Sequence, residues 1–268
     1  MASSVMTSNI EAYYAGYFLV TCVVSFFLFV LYSIATKRPA SARIQKQGRS
    51  PFLGHLPMEF GYFVLTPIGN TAARLGLSPN FFSWMCLILG FVASYYAALG
   101  ALFWAGTIAI VSSLFDSLDG MVARKRGVAN DGGEVLDAAI DRYTELFFLG
   151  ALTVYYRFDV GLMLLSLFTL SGAFLVSYSQ AKAEALQTPI PKGFMRRPER
   201  ALYLFGGAFL SPLANHFIAT VGSLDAVRVY QIHPLKLVSL TMVGFLTHYT
   251  ALIRFYALYQ ALKSKPSA

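Results

Sequence analysis

The chain is 268 residues long, 56% hydrophobic and only 13% charged, with a net charge of +8. Soluble domains carry about 25% charged residues, so this composition excludes an ordinary water-soluble globule, a disordered chain and a coiled coil. It fits a polytopic membrane protein. The two cysteines, Cys22 and Cys86, lie in apolar runs and build no disulfide framework, and four scattered histidines offer no zinc pattern.

In chain order, the first apolar run covers 13–35 and carries no charge. Glu11 precedes it and Lys37, Arg38, Arg43, Lys46 and Arg49 follow it, the reverse of a secretory signal. It is expected to be a retained anchor with its N-terminus outside. Residues 51–76 mix apolar residues with Pro, Gly, His and Arg and predict an interfacial amphipathic helix. Six more spans are expected over 79–99, 101–124, 134–156, 160–184, 199–221 and 235–262. With seven spans, sixteen basic residues fall on the cytoplasmic side and three (Arg157, Arg228 and Lys236) on the other, which sets the orientation. The same distribution accounts for the positive charge without nucleic acid. The expected organisation is a transmembrane anchor (1–36), a basic linker with the interfacial helix (37–78) and a six-helix membrane domain (79–268), an all-α membrane protein.

Charge inside these spans is the informative signal. Asp116 and Asp119 stand three apart near the cytoplasmic end of one span, and Asp137 and Asp141 stand four apart near the start of the next. Both spacings put the pair on one helix face, and the short link makes the helices antiparallel neighbours, so the four carboxylates can converge. Ionised carboxylates at this depth are costly and mark functional sites. Divalent cations can neutralise them, or some can be protonated, as in proton-coupled transport. Hard oxygen ligands suit magnesium, manganese or calcium, and two shared metals suit phosphoryl chemistry. Gly120 and Ala123 clear bulk from the first helix, Gly132 and Gly133 open the start of the second towards phosphate, and Arg124 suits a pyrophosphate.

These residues carry a resemblance. Asp116-x-x-Asp119-Gly120-x-x-Ala123-Arg124, eight residues, then Gly133-x-x-x-Asp137-x-x-x-Asp141 matches every fixed position of the CDP-alcohol phosphotransferase signature. The resemblance implies a six-helix membrane core, with the anchor outside it. It also implies two magnesium ions, or manganese, held by Asp116, Asp119, Asp137 and Asp141, with Asp116 and Asp137 bridging. Asp141 is then the catalytic base that takes the acceptor hydroxyl's proton. Asn80, Phe81, Phe82 and Ser83, where threonine is usual, resemble the segment that contacts the CDP moiety. Gly120, Ala123, Arg124, Asn130 and Gly133 fall at the family's nucleotide and phosphate contacts.

A second constellation, Gln180, Lys182, Arg197 and Arg200, resembles the acceptor-binding segment of prokaryotic phosphatidylinositol phosphate synthases. Lys182 replaces an arginine there, and Gln180 stands where those synthases carry a phosphate-binding lysine. Loss of one cation from a phosphate pocket costs on the order of 1–3 kcal/mol. The implied reaction moves a phosphatidyl group from CDP-diacylglycerol to a small polyol phosphate, inositol phosphate first, releasing CMP. Glycerol 3-phosphate is the alternative acceptor, and a cation or proton transporter the non-enzyme alternative. The family also implies a homodimer in the cell membrane among its lipids. Arg254 is expected near the cytoplasmic end, pairing with Glu or lipid headgroups, and His248 as a satisfied core histidine.

Overall fold

In the computed structural model the described residues are 2–36, 56–221, 229 and 231–263. They form eight helices: α1 (Ala2–Ala35), α2 (Leu56–Arg74), α3 (Pro79–Ala98), α4 (Leu102–Arg126), α5 (Asp131–Tyr155), α6 (Val160–Ala185), α7 (Arg197–Val221) and α8 (Pro234–Lys263). No strand occurs among the described residues. The basic cluster at 37–49, the start of the interfacial segment (51–55), Arg228 and Lys265 lie outside them.

Six of the helices (α1 from Ile10, α3, α4, α6, α7 and α8) are long and apolar enough to cross a membrane. The expected span over 134–156 is present as α5, but its composition departs from a simple span. Asp131, Glu134, Asp137, Asp141, Arg142 and Glu145 all lie in its first fifteen residues. Its 25 residues reach about 37 Å at 1.5 Å per residue, which is span length. Asp141 and Glu145 are buried among neighbouring helices, while Asp131 and Glu134 are exposed at the helix start.

Helix contacts close a ring in the order α3, α4, α7, α8, α6, α5 and back to α3. Its core holds Phe148, Leu149 and Leu152 of α5 against Leu102, Leu204 and Leu240 of α4, α7 and α8. Close approach needs small residues: a Cβ on Gly106 of α4 would strike the backbone of Phe205 and Phe209 on α7. Outside the ring, α1 packs on α7 and touches α2, with Ala15 buried beside Phe103 and Phe209. Phe29 lies between Phe60 and Phe63 of α2, at 5.5 and 5.2 Å. The helix α2 packs on α4 through Leu65 and Ala72 against Leu118, Met121 and Val122.

Helix ends near the aspartates are locally encoded. Ser78 caps α3 by accepting from the Phe81 N–H at 3.3 Å, with Pro79 in the first turn. Asn130 caps α5 by accepting from the Gly133 N–H at 2.8 Å. Gly127, at φ 66°, ends α4 in the left-handed conformation that glycine adopts without strain. Arg126 then donates to the carbonyls of Gly76 and Leu77, at 2.9 and 2.7 Å, and ties the end of α4 to the turn before α3.

Lys236, expected on the outer side, is fully buried and donates to the Leu204 carbonyl at 2.7 Å, with its ammonium 5.0 Å from the Phe148 ring centroid. The ring interior supplies a carbonyl and an aromatic face in place of water.

Candidate active site

The end of α4 and the start of α5 bring three carboxylates together. One oxygen each from Asp116, Asp119 and Asp137 lies within 4.8 Å of the others, a hard-oxygen set that fits a divalent cation. Asp119 is buried and held from two sides: the Ser83 hydroxyl donates to Oδ2 at 2.7 Å, and the Gly120 N–H donates to Oδ1. Such outer contacts fix a ligand's orientation.

The fourth aspartate joins through a cation. Arg197, the first residue of α7, donates from Nη1 and Nη2 to the two oxygens of Asp116, both at 2.9 Å, and its Nη2 also pairs with Asp141 Oδ1. Arg197 therefore stands on the aspartates, a two-pronged pairing that guanidinium geometry favours.

Beside the carboxylates opens a recess of about 690 Å³. Asn80, Ser83, Gly120, Ala123, Arg124, Asn130 and Gly133 all line it, together with Asp119 and Asp137. Arg124 lies back over Gly120, where an added Cβ would come 3.0 Å from its Nη1. Two residues of the expected CDP contact are not brought into this recess. Phe82 is buried against Phe115, at 5.9 Å between centroids, in the α2–α4 core, and Phe81 is exposed. Asn80 and Ser83, three apart, share the helix face that lines the recess, and Phe81 and Phe82 between them turn away from it.

A second cavity, of about 460 Å³, runs from Asp116, Asp141 and Arg197 between apolar walls that include Ala93, Ala109, Leu114, Phe148, Leu204 and Phe205. Nothing in the sequence pattern announced it, because its walls come from α3, α4, α5 and α7 at once.

The four expected acceptor residues are not gathered in one place. Gln180 lines a third cavity, also about 460 Å³, with Glu184, Lys192, Arg196 and Arg254, and donates to Glu184 Oε1 at 2.6 Å. Lys182, two residues on along α6, is exposed and outside that lining. Arg200 is 1% exposed and gives Nε and Nη2 to the two oxygens of Glu145, at 2.6 and 3.0 Å. Arg196 pairs with Glu199 at 3.0 Å. Arg254 donates to the carbonyls of Val176, Pro191 and Lys192, not to a Glu, and so pins the segment before α7. His248 is satisfied, stacked 4.0 Å from Phe168 and bonded to its carbonyl at 2.9 Å.

Sequence reasoning missed Glu145 as a partner and Ser83 as a support for Asp119. The signal for Glu145 was available: an acid four residues after Asp141, on the same face of one helix, needs a cation.

Comparisons with known proteins agree with this geometry. The CDP-alcohol phosphatidyltransferase family model matches residues 76–227. The phosphatidylinositol phosphate synthase of Mycobacterium tuberculosis (strain H37Rv) is 36% identical over 156 residues, covering 55% of this chain and 70% of that protein. Its crystal structure with CDP-DAG bound superposes at TM-score 0.63 and 24% identity over 76% of this chain and 98% of that one. Its complex with manganese and citrate gives TM-score 0.63 and 25% identity, over 76% and 93%. The family match covers more than half of the sequence, including all four aspartates and the whole recess beside them, and it sets the transporter alternative aside. With a six-helix ring, apolar spans and a divalent-cation aspartate cluster, the chain belongs to the CDP-alcohol phosphatidyltransferase family and is an integral membrane transferase of phospholipid biosynthesis.

Proposed function

We propose that the chain transfers the phosphatidyl group of CDP-diacylglycerol to the hydroxyl of inositol phosphate and releases CMP. The observation that carries this reading is the meeting of three carboxylates within 4.8 Å at the wall of a nucleotide-sized recess that also presents Gly120 and Arg124. Support for the acceptor comes from the name of the M. tuberculosis relative, and for the lipid from the ligand of its crystal structure.

Two magnesium ions, with manganese as the substitute, held by Asp116, Asp119, Asp137 and Asp141, would neutralise the pyrophosphate and stabilise CMP as it leaves. The protein's own residues do the rest. Ser83 keeps Asp119 oriented, and Arg124 lies where a guanidinium can grip the pyrophosphate through paired hydrogen bonds. Asn130 and Gly133 shape the start of α5, whose N-terminal dipole favours phosphate. Asp141 takes the proton from the acceptor hydroxyl, and that oxygen attacks the lipid-side phosphorus. Positioning and charge neutralisation supply most of the rate. The apolar cavity that begins at Asp116 and Asp141 suits one acyl chain.

The third cavity is the candidate acceptor pocket. It replaces the synthases' lysine with the neutral Gln180, held by Glu184, which weakens the grip on any acceptor phosphate; glycerol 3-phosphate, a smaller phosphate monoester, is the second reading. We further infer an anchor at 1–36, a linker with the interfacial helix at 37–78 and a catalytic domain at 79–268. The excess of basic residues on one side supports a cytoplasmic active site with the N-terminus outside, and the family supports a homodimer.

The test is CMP release by purified protein in lipid nanodiscs with CDP-diacylglycerol and magnesium, offering inositol phosphate, inositol, glycerol 3-phosphate and serine separately. Release with inositol phosphate alone supports the first reading, and release with glycerol 3-phosphate alone the second. No binding of CDP-diacylglycerol would overturn both.

A further inference from the structure

Arg197 occupies an unusual position for a residue read as an acceptor contact. Both of its Nη groups are spent on both oxygens of Asp116, and Nη2 also reaches Asp141. These are atoms that a divalent cation at the cluster would require. A guanidinium gripping both oxygens takes one lone pair from each and sets a positive charge beside those that remain, so cation and guanidinium compete for Asp116.

The charge balance favours the metal. Four aspartates face one another here, and one guanidinium supplies a single positive charge, whereas two divalent cations supply four. The fold also permits the exchange. Arg197 is the first residue of α7, preceded by a stretch over 188–196 that lacks regular structure but is pinned by Arg254 and Thr250, so the exchange is a swing of its side chain and not of the backbone.

The surrounding arginines are committed differently. Arg196 is paired with Glu199, Arg200 with Glu145, and Arg254 with three backbone carbonyls. Of these four arginines, Arg197 is the one bonded to candidate metal ligands. Its neighbour Arg196 lines the third cavity, so a guanidinium released from Asp116 starts one residue from the candidate acceptor pocket.

We propose that Arg197 is a built-in counter-ion of the aspartate cluster: divalent cations displace it, and the released guanidinium then holds the acceptor's phosphate, so metal loading precedes acceptor binding. This rests on the reading of the site given under Proposed function. It makes Arg197 the residue that couples two otherwise separate binding events.

The experiment measures Mn²⁺ binding to the full chain in nanodiscs, by the EPR signal of free Mn²⁺, for the wild type, Arg197→Gln and Arg197→Lys. Arg197→Gln is expected to bind Mn²⁺ about tenfold more tightly, having lost the competitor. Arg197→Lys keeps the charge but cannot take both oxygens, so it should also bind more tightly than the wild type, by a smaller factor. Inorganic phosphate is then titrated with and without Mn²⁺. The wild type should bind it at least severalfold better with Mn²⁺, and the Gln variant should lose that dependence. Equal or weaker Mn²⁺ binding by both variants overturns the proposal, as does phosphate binding by the wild type that ignores Mn²⁺. If Arg197→Gln fails to fold, Arg197→Lys decides alone. Failure of the functional reading shows separately, as wild-type protein that binds Mn²⁺ and CDP-diacylglycerol yet releases no CMP with any acceptor.

Discussion

Arg200 and Glu145 form a two-pronged ion pair, at 2.6 and 3.0 Å, sealed between α7 and α5 with Arg200 1% exposed. The pair makes Arg200 a residue that positions helices. Breaking such a pair leaves an uncompensated buried charge and costs about 3–5 kcal/mol. Glu145→Gln and Arg200→Met should therefore each lower the temperature at which the protein leaves a monodisperse gel-filtration peak. The double variant Glu145→Leu with Arg200→Met should recover much of the loss. A mere rise in KM for the acceptor with unchanged thermal stability would show instead that Arg200 serves the substrate.

The aspartates divide by role. Asp116→Asn, Asp119→Asn and Asp137→Asn should each weaken Mn²⁺ binding by at least about tenfold, because a ligand is lost. Asp141→Asn should abolish CMP release while CDP-diacylglycerol still binds. Turnover retained by Asp141→Asn would remove it from the role of base.

Ser83 acts on the metal site through Asp119 alone, by one 2.7 Å hydrogen bond. Ser83→Ala should weaken Mn²⁺ binding by about tenfold, in the range of 10–100-fold known for such supporting bonds. Ser83→Thr retains the hydroxyl and should bind Mn²⁺ like the wild type. Isothermal titration of the two variants separates the hydroxyl's effect from that of side-chain volume.

Gly120→Ala places a Cβ 3.0 Å from Arg124 Nη1, so the guanidinium must shift by a few tenths of an ångström beside the recess. The expected outcome is a KM for CDP-diacylglycerol raised about tenfold, as fits the loss of roughly one paired hydrogen bond. Thermal stability should hold, since an arginine end can swing aside.

His233, just before α8, is buried beside Asn215, whose amide lies 2.8 Å from Nδ1. Burial first, and then the nearby Lys236, push its imidazole down to about 4. The folded state thus disfavours the proton that the unfolded chain accepts near pH 6.5. This contribution is complete above about pH 6.5 and is lost as the pH falls from there towards about 4. Thermal scans at pH 7 and pH 5 should show a fall for the wild type that is smaller for His233→Gln.

Much of the site was legible along the chain because its parts are local. The spacings of Asp116 with Asp119, and of Asp137 with Asp141, fix one face on each of two consecutive helices. Gly127 ends the first of those helices and Asn130 caps the second, but the expected direct packing of the two is not found: the ring sets them on either side of α3, and the carboxylates meet across it. The same locality carried the family resemblance, since every fixed position of the signature falls within 116–141.

The destinations of the cations were not legible. Arg197 lies 81 residues from Asp116, and Arg200 lies 55 from Glu145. Four basic or amide residues on one stretch read as one acceptor pocket. In the folded chain, however, Gln180 and Lys182 lie on α6 and Arg197 and Arg200 on α7, and Gln180, Arg197 and Arg200 meet Glu184, Asp116 and Glu145 in turn. A helix's periodicity states which residues share a face, but the ring order α3, α4, α7, α8, α6, α5 states what that face meets. For charges in a low-dielectric interior the nearest partner takes the interaction. The sequence by itself thus determined the metal-competent carboxylates and the helices that bear them. Only the tertiary structure decided that Arg200 pairs with Glu145, that Lys236 is buried, and that Arg197 stands on the aspartates.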